Sequence, residues 1–278
     1  MVEAALRPTG PFSLRLSTWT SEWRASLPES RWAEARQRPD GVVLIRASCE
    51  LAIDESRFVL ALDDDTSEFH RRFASDPLLG RSVRTLRGLR PRRTATVAHA
   101  TLRAVCGQLI QSRAARDIER AVVRACGENP PTRAALRRLS PAMLCRHGLA
   151  TSRAATLARL VRTVDLEGLR EAPPEVAPAR LLRERGVGPW SLGVVALQGL
   201  GRYDIGLVSD LGLVKLFASV RGRWPERPHE TADLLAPYGE WQGLASVFLL
   251  AGFSRGLVPG ASADRARLAR ANHRRAAA

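Results

Sequence analysis

The chain has almost no lysine: of its 43 basic residues, Lys215 is the single lysine and the rest are arginine. Aromatic residues are also scarce, at 5% of 278 positions. Cysteine is limited to Cys49, Cys106, Cys126 and Cys145, and no two of them stand at metal-ligand spacing. Thiolate metal sites are therefore excluded by spacing, and buried thiols in a reducing compartment are expected. The five histidines (His70, His99, His147, His229, His273) form no metal motif either. No stretch approaches the apolar length of a membrane span, and the first residues hold no apolar signal core. A cytoplasmic protein is the expectation.

Hydrophobic residues make up 45% of the chain, enough to core one large domain or two modest ones. The net charge is +15 and the sequence pI about 11.3. Such a surface attracts polyanions, and guanidinium groups grip phosphate through two hydrogen bonds at once. A general enrichment in Arg, Ala and Gly accounts for part of that charge.

Residues 11–93 differ in texture from the remainder. Phe12–Leu16 alternates, Gly41–Arg46 is β-branched and Phe58–Leu62 is an apolar run, so all three are expected as strands. Asp63-Asp64-Asp65 precedes a helix start and suits capping. Arg81, Arg84, Arg87, Arg90, Arg92 and Arg93 recur about every three residues, which fits a phosphate-facing connector or a solvated linker. From Thr94 the pattern is helical. Val97–Ala125 reads as one or two helices, Tyr238–Phe253 as another, and Arg265–Arg275 as a frayed basic tail.

The most informative segment is 181–213. A helix after Pro178 is expected to end at Gly186, and Pro189 suits the first position of the next helix. Trp190, Val194, Leu197 and Leu200 give that helix an apolar face, and Gly201 stops it. The glycine turn and helix N-terminus form an anion-binding corner. Ser209-Asp210 then opens an apolar helix over Leu211–Val220, where the aspartate serves as an N-cap.

Gly186-Val-Gly-Pro-Trp-Ser191 followed by Val208-Ser-Asp210 resembles the helix-hairpin-helix DNA glycosylases, and in particular their bacterial 3-methyladenine DNA glycosylase II branch. His99–Ser112, Gly148–Leu157 and Tyr238–Ala245 are similar to further segments of that family, so the likeness runs from about His99 to Gly252. It implies a mainly α fold with an N-terminal α+β lobe. That lobe, residues 1–93, carries a small antiparallel sheet, and residues 94–278 form a helical body with the helix-hairpin-helix at 179–201. Double-stranded DNA is the implied partner, with no membrane, no obligate protein partner, a monomeric state and a place in the nucleoid.

A damaged base must leave the duplex to be reached. The resemblance assigns the phosphate anchor to Gly186, Val187, Gly188 and Ser191. It assigns the intercalating wedge to Leu109 with Gln108, although core packing would also suit the leucine. The base pocket falls to Trp190, Tyr238, Trp241 and Val194, with burial in the core as the alternative for the aromatics. Asp210 is the implied catalytic carboxylate, stabilising charge on the sugar or handling the attacking water.

Where the lyase branch of the superfamily has a Schiff-base lysine, this chain has Trp190. Lys215 lies five residues beyond Asp210, roughly 140° around the helix. A monofunctional hydrolase is implied. No cofactor is required, but the family's hairpin holds a monovalent cation through carbonyls that correspond to Leu182, Glu184 and Gly186. The family's iron–sulfur branch is not matched, because a C-terminal cysteine cluster is missing. Val194 and Leu211 stand where relatives have tyrosines, Gln242 where they have arginine and Glu240 where they have proline, so the pocket is less aromatic and its range of alkylpurines differs. Two other readings are a non-catalytic helix-hairpin-helix DNA-binding module and a glycosylase for another lesion.

Overall fold

The computed structural model describes residues 1–108 and 112–276. Four short strands, β1 (Val2–Leu6), β2 (Glu22–Ser26), β3 (Trp32–Gln37) and β4 (Val43–Ala47), form one antiparallel sheet in the order β1-β4-β3-β2. Ala33, Ala35 and Trp23 alternate inward with Val43, Ile45 and Ala47, and the Glu50–Leu60 helix covers that face through Ala52, Ile53, Val59 and Leu60. The outward positions carry Glu22, Arg24, Glu34, Arg36 and Arg46, the polar half of the alternation.

Two expected strands are helical. Phe12–Leu16 leads into a helix at Leu14–Thr18, because the Ser13 side chain caps it by accepting from the Leu16 N–H. Phe58–Leu62 is the end of the Glu50–Leu60 helix, whose buried residues recur at Ala52, Ile53, Ser56, Val59 and Leu60. That spacing is helical, and the five-residue apolar run concealed it.

The arginine-rich stretch is neither a connector facing phosphate nor a linker in solvent along its whole length. Its helix spans only Gly80–Thr85, and the chain reverses at Gly88 (φ +86°), where a Cβ would sit 2.7 Å from the Phe12 carbonyl carbon. Arg90, 1% exposed, donates to the carbonyls of Thr9, Pro11 and Ala61. Arg93 is buried against Asp64 and the Gly201 carbonyl. These guanidiniums tie the N-terminal segments to the body instead of reaching solvent. In the triple aspartate, Asp65 caps through the Ser67 N–H at 2.8 Å, while Asp64 also takes the Tyr203 hydroxyl.

The larger core extends from Phe69 to Val258 and is threaded by the Val97–Gly107 helix. Around it stand the helices Ser112–Cys126, Thr151–Thr163 and Pro189–Val194, the last continuing as a wider π-turn to Leu200. Glu167 accepts the N–H groups of Val97 and Ala98 at 2.8 and 3.0 Å, placing a carboxylate at the positive end of the central helix. The Arg265–Arg275 tail is not frayed. It belongs to an Ala263–Ala276 helix that buries Ala266 and Ala269, and Ser219 and Ser262 bond beneath it. No helix of the described residues is long and apolar enough to cross a membrane. Among them, no cluster of His, Cys, Asp and Glu is arranged to hold a metal.

Candidate functional site

The hairpin begins with a helix at Val176–Leu181, shorter than the pattern predicts. Pro178 lies inside its first turn, where the missing N–H costs nothing. The chain then tightens through Glu184 N–H to Leu181 O and Val187 N–H to Glu184 O, both 3.0 Å. Gly186 adopts φ +87°, and a Cβ there would lie 2.5 Å from the Thr156 hydroxyl. Both facts require glycine. Gly188 is the extended N-cap of the next helix and Pro189 its first residue. Gly186 is exposed, with Val187 and Gly188 half-buried. The first N–H groups of that helix have no partner within it.

Asp210 caps the Leu211–Arg221 helix from extended backbone, with the Ser209 N–H held by the Thr231 hydroxyl at 2.7 Å. Its Oδ1 accepts the Gly212 N–H at 2.7 Å and its Oδ2 accepts the indole N–H of Trp190 at 2.9 Å. Asp210 and Trp190 are both half-buried, and Leu211 beside them is 54% exposed. The structure thus brings together two residues that sequence alone keeps 20 positions apart. It also seats the tryptophan: a Cβ on Gly107 would meet Trp190 Cη2 at 2.5 Å, so the ring lies on the bare end of the central helix.

Gln108 turns toward the hairpin. Its amide donates to the Gly186 carbonyl at 2.8 Å and to Ser191 Oγ at 2.9 Å. Ser191 is 4% exposed, so its side chain is a buried support and does not reach the surface. The wedge candidate Leu109 lies outside the described residues. Lys215 is exposed on the Leu211–Arg221 helix.

The other pocket candidates are placed differently. Val194 is buried in the core. Tyr238, 2% exposed, packs edge-on against Phe73 at 5.2 Å and directs its hydroxyl to Asp76. Trp241 stacks on Tyr203 at 6.1 Å and leans on Phe69 at 5.8 Å, with its indole N–H unpartnered among the described residues. None of these ring contacts joins Trp190. Glu240, in the proline position of the resemblance, pairs with Arg72 at 2.8 Å. Gly107 and the Gln108 clasp escaped sequence reasoning, whose one available sign was a glycine ending an otherwise apolar helix.

For a hairpin cation the donors are carbonyl oxygens. Glu184 O and Gly186 O each accept one hydrogen bond and keep a second lone pair, the kind of donor a hard monovalent ion takes.

No family model matches the chain. It is 27% identical over 206 residues to a DNA-3-methyladenine glycosylase of Bacillus subtilis, covering 68% of this chain and 67% of that one. Among solved structures, a 3-methyladenine DNA glycosylase from Archaeoglobus fulgidus superposes with TM-score 0.74 at 17% identity, over 92% of this chain and 99% of its own. An 8-oxoguanine glycosylase/lyase of Clostridium acetobutylicum, solved with double-stranded DNA, superposes with TM-score 0.70 at 16% identity, over 93% and 99%. The structural likenesses are likenesses of fold, and they extend over nearly the whole chain.

Proposed function

We propose that this chain, which belongs to the helix-hairpin-helix DNA glycosylase superfamily, hydrolyses the N-glycosidic bond of alkylated purines in double-stranded DNA and leaves the strand intact. The observation that carries the reading is the Asp210 carboxylate, fixed at a helix N-terminus by two N–H donors and half-open beside an indole. The hairpin at Gly186–Gly188 and the free N–H groups after it grip a phosphate. The nucleotide is flipped out, and Leu109 takes the place of the departed base.

Asp210 then faces the sugar as the base departs. Positive charge grows on the ring, and a carboxylate at ~4 Å with an effective dielectric of ~20 stabilises it by about 4 kcal/mol before solvation losses. That corresponds to roughly a thousandfold in rate. The same carboxylate orients the water that attacks C1′. An alkylated purine is already cationic, leaves without a general acid, and favours an electron-rich ring such as Trp190. The name of the Bacillus relative agrees with this substrate class. A monovalent cation on the carbonyls of Leu182, Glu184 and Gly186 would add positive charge near the gripped phosphate.

A lyase reading would follow from the fold shared with the 8-oxoguanine glycosylase/lyase. It is disfavoured because the side chain on Asp210 is an indole, which cannot form a Schiff base, and because Lys215 is exposed five positions further along. The test uses purified protein and methylated duplex DNA, with separate assays for free base and abasic sites. Base release is expected without strand nicking unless alkali is added. Asp210→Asn should slow release about a thousandfold with DNA binding retained. Nicking without alkali would refute the monofunctional reading, and no release from any lesion would leave a binding module.

A further inference from the structure

A cleft of about 640 Å³ lies between the sheet and the helical body, and neither Trp190 nor Asp210 lines it. One wall is the run 23–27. Side chains of a strand alternate between faces, so a wall of consecutive residues is a backbone edge. β2 is indeed an outermost strand. The bond from Leu27 N–H to Arg31 O, 2.7 Å, fixes which residues face β3. Counting back by twos, Ala25 and Trp23 bond to Ala33 and Ala35, while Glu22, Arg24 and Ser26 turn their N–H and C=O groups outward.

The Thr20 hydroxyl meets the Glu22 carbonyl. The outward backbone groups of Arg24 and Ser26 have no partner among the described residues. The facing wall, residues 92–95, does not compete for them. Two of its N–H groups point away, Arg93 to Val59 O at 3.0 Å and Thr94 to Gln198 O at 2.8 Å, and among the described residues none of its backbone groups bonds to β2.

The charges in the cleft leave one guanidinium over. Arg24 pairs with Glu34 at 3.2 Å, Arg103 with Glu119 at 2.9 Å, and Arg93 with Asp64. Arg92 is exposed and makes no direct ion pair among the described residues; the carboxylate that acts on it, Glu119, is already bonded to Arg103 and His99. At the mouth, Trp32 is 39% exposed.

We propose that this cleft docks an extended acidic segment of a partner protein, which adds to β2 as a fifth strand and sets a carboxylate against Arg92. Only a backbone offers alternating donors and acceptors at the ~6.8 Å repeat that Arg24 and Ser26 require. A phosphodiester accepts but does not donate, and would leave both carbonyls unmet. Trp32 supplies an apolar surface for one of the segment's flanking side chains.

The test uses the full chain, nitrogen-labelled, and an acetylated peptide pool of Val, Ile and Thr around a central Asp, with a central Lys pool as control. The Asp pool should bind and shift the Arg24 and Ser26 amide signals. Ser26→Pro removes an outward N–H without touching the β3 ladder, and should weaken binding roughly tenfold or more while base release is unchanged. Arg92→Glu should transfer the preference to the Lys pool. The proposal is overturned if neither pool binds, if Ser26→Pro binds as tightly as the parent, or if octathymidylate displaces the peptide through the same amides. Because base release is read separately, failure here leaves the proposed function untouched.

Discussion

The indole N–H of Trp190 and the backbone N–H of Gly212 hold opposite oxygens of Asp210, at 2.9 and 2.7 Å. With both oxygens anchored, the carboxylate plane is set before any nucleotide arrives, which is the preorganisation that an electrostatic catalyst needs. Trp190→Phe keeps an aromatic face and removes one anchor. Base release should slow about tenfold or more, as expected for losing a hydrogen bond to a charged group, with the DNA dissociation constant unchanged. An unaltered single-turnover rate would show that Gly212 alone orients the acid.

The seat of that indole is testable separately. Gly107→Ala would drive a methyl to 2.5 Å from Trp190 Cη2, too close for real atoms, so the ring must shift. Overpacking of this sort costs roughly 1–3 kcal/mol of stability. Base release should fall with it, because Nε1 leaves Oδ2, and the double variant Gly107→Ala with Trp190→Phe should be no slower than the worse single one. Additive losses would mean that the two residues act independently.

How much of this was legible in the sequence depends on the range of the interaction. Gly186 (φ +87°), Pro189 at a helix start and Asp210 as a cap are local chemistry, and the chain states them plainly. Gly107 under Trp190 joins positions 83 residues apart, and a lone glycine at a helix end gives no hint of what it supports. Tyr238 matched the pocket by resemblance, yet Phe73 and Asp76 enclose it. In the lobe, β2 and β3 were missed because alanines fill much of their inner face and arginine and glutamate the outer, so alternation carried little contrast. Phe58–Leu62 failed in the opposite sense, since a short apolar run has no period of its own.

Gln108 links the end of the central helix to the hairpin through Gly186 O and Ser191 Oγ. Gln108→Ala leaves the buried Ser191 hydroxyl short of a partner, which costs about 1–3 kcal/mol. Because the clasp holds the turn that carries the phosphate anchor, DNA affinity should weaken, and affinity for a short oligonucleotide without a lesion should weaken equally. Gln108→Glu can still accept from the Ser191 hydroxyl, but it sets a carboxylate against the Gly186 carbonyl and a negative charge beside the phosphate anchor, so its DNA affinity should be lower than that of the alanine variant. Equal affinity across all three proteins would detach Gln108 from phosphate binding.

Acid should destabilise the fold through His70 before it reaches the carboxylates. His70 is 6% exposed, lies edge-on to Phe69 and Phe248 at 5.8 and 5.6 Å, and leaves Nε2 without a partner among the described residues. Burial first, and then the charge of Arg87, lower its pKa from the usual 6.5 to about 4. The folded chain therefore keeps the ring neutral while the unfolded chain protonates it. The associated stability is fully present above 6.5 and is lost as pH falls through that value toward 4, on the order of 3 kcal/mol in all. Glu119 acts in a lower window. Burial pushes its pKa up, but the hydrogen bonds and charges of His99 and Arg103 outweigh this and hold it at about 2, so its contribution fades only below the ordinary glutamate value. Urea unfolding at stepped pH should show a decline from about pH 6.5 downward that His70→Leu makes shallower, the remainder belonging to His99, whose burial lowers its pKa in the same direction, and a further decline below it that His70→Leu leaves in place. Parallel curves for the two proteins across the upper window would remove His70 as the group that titrates there.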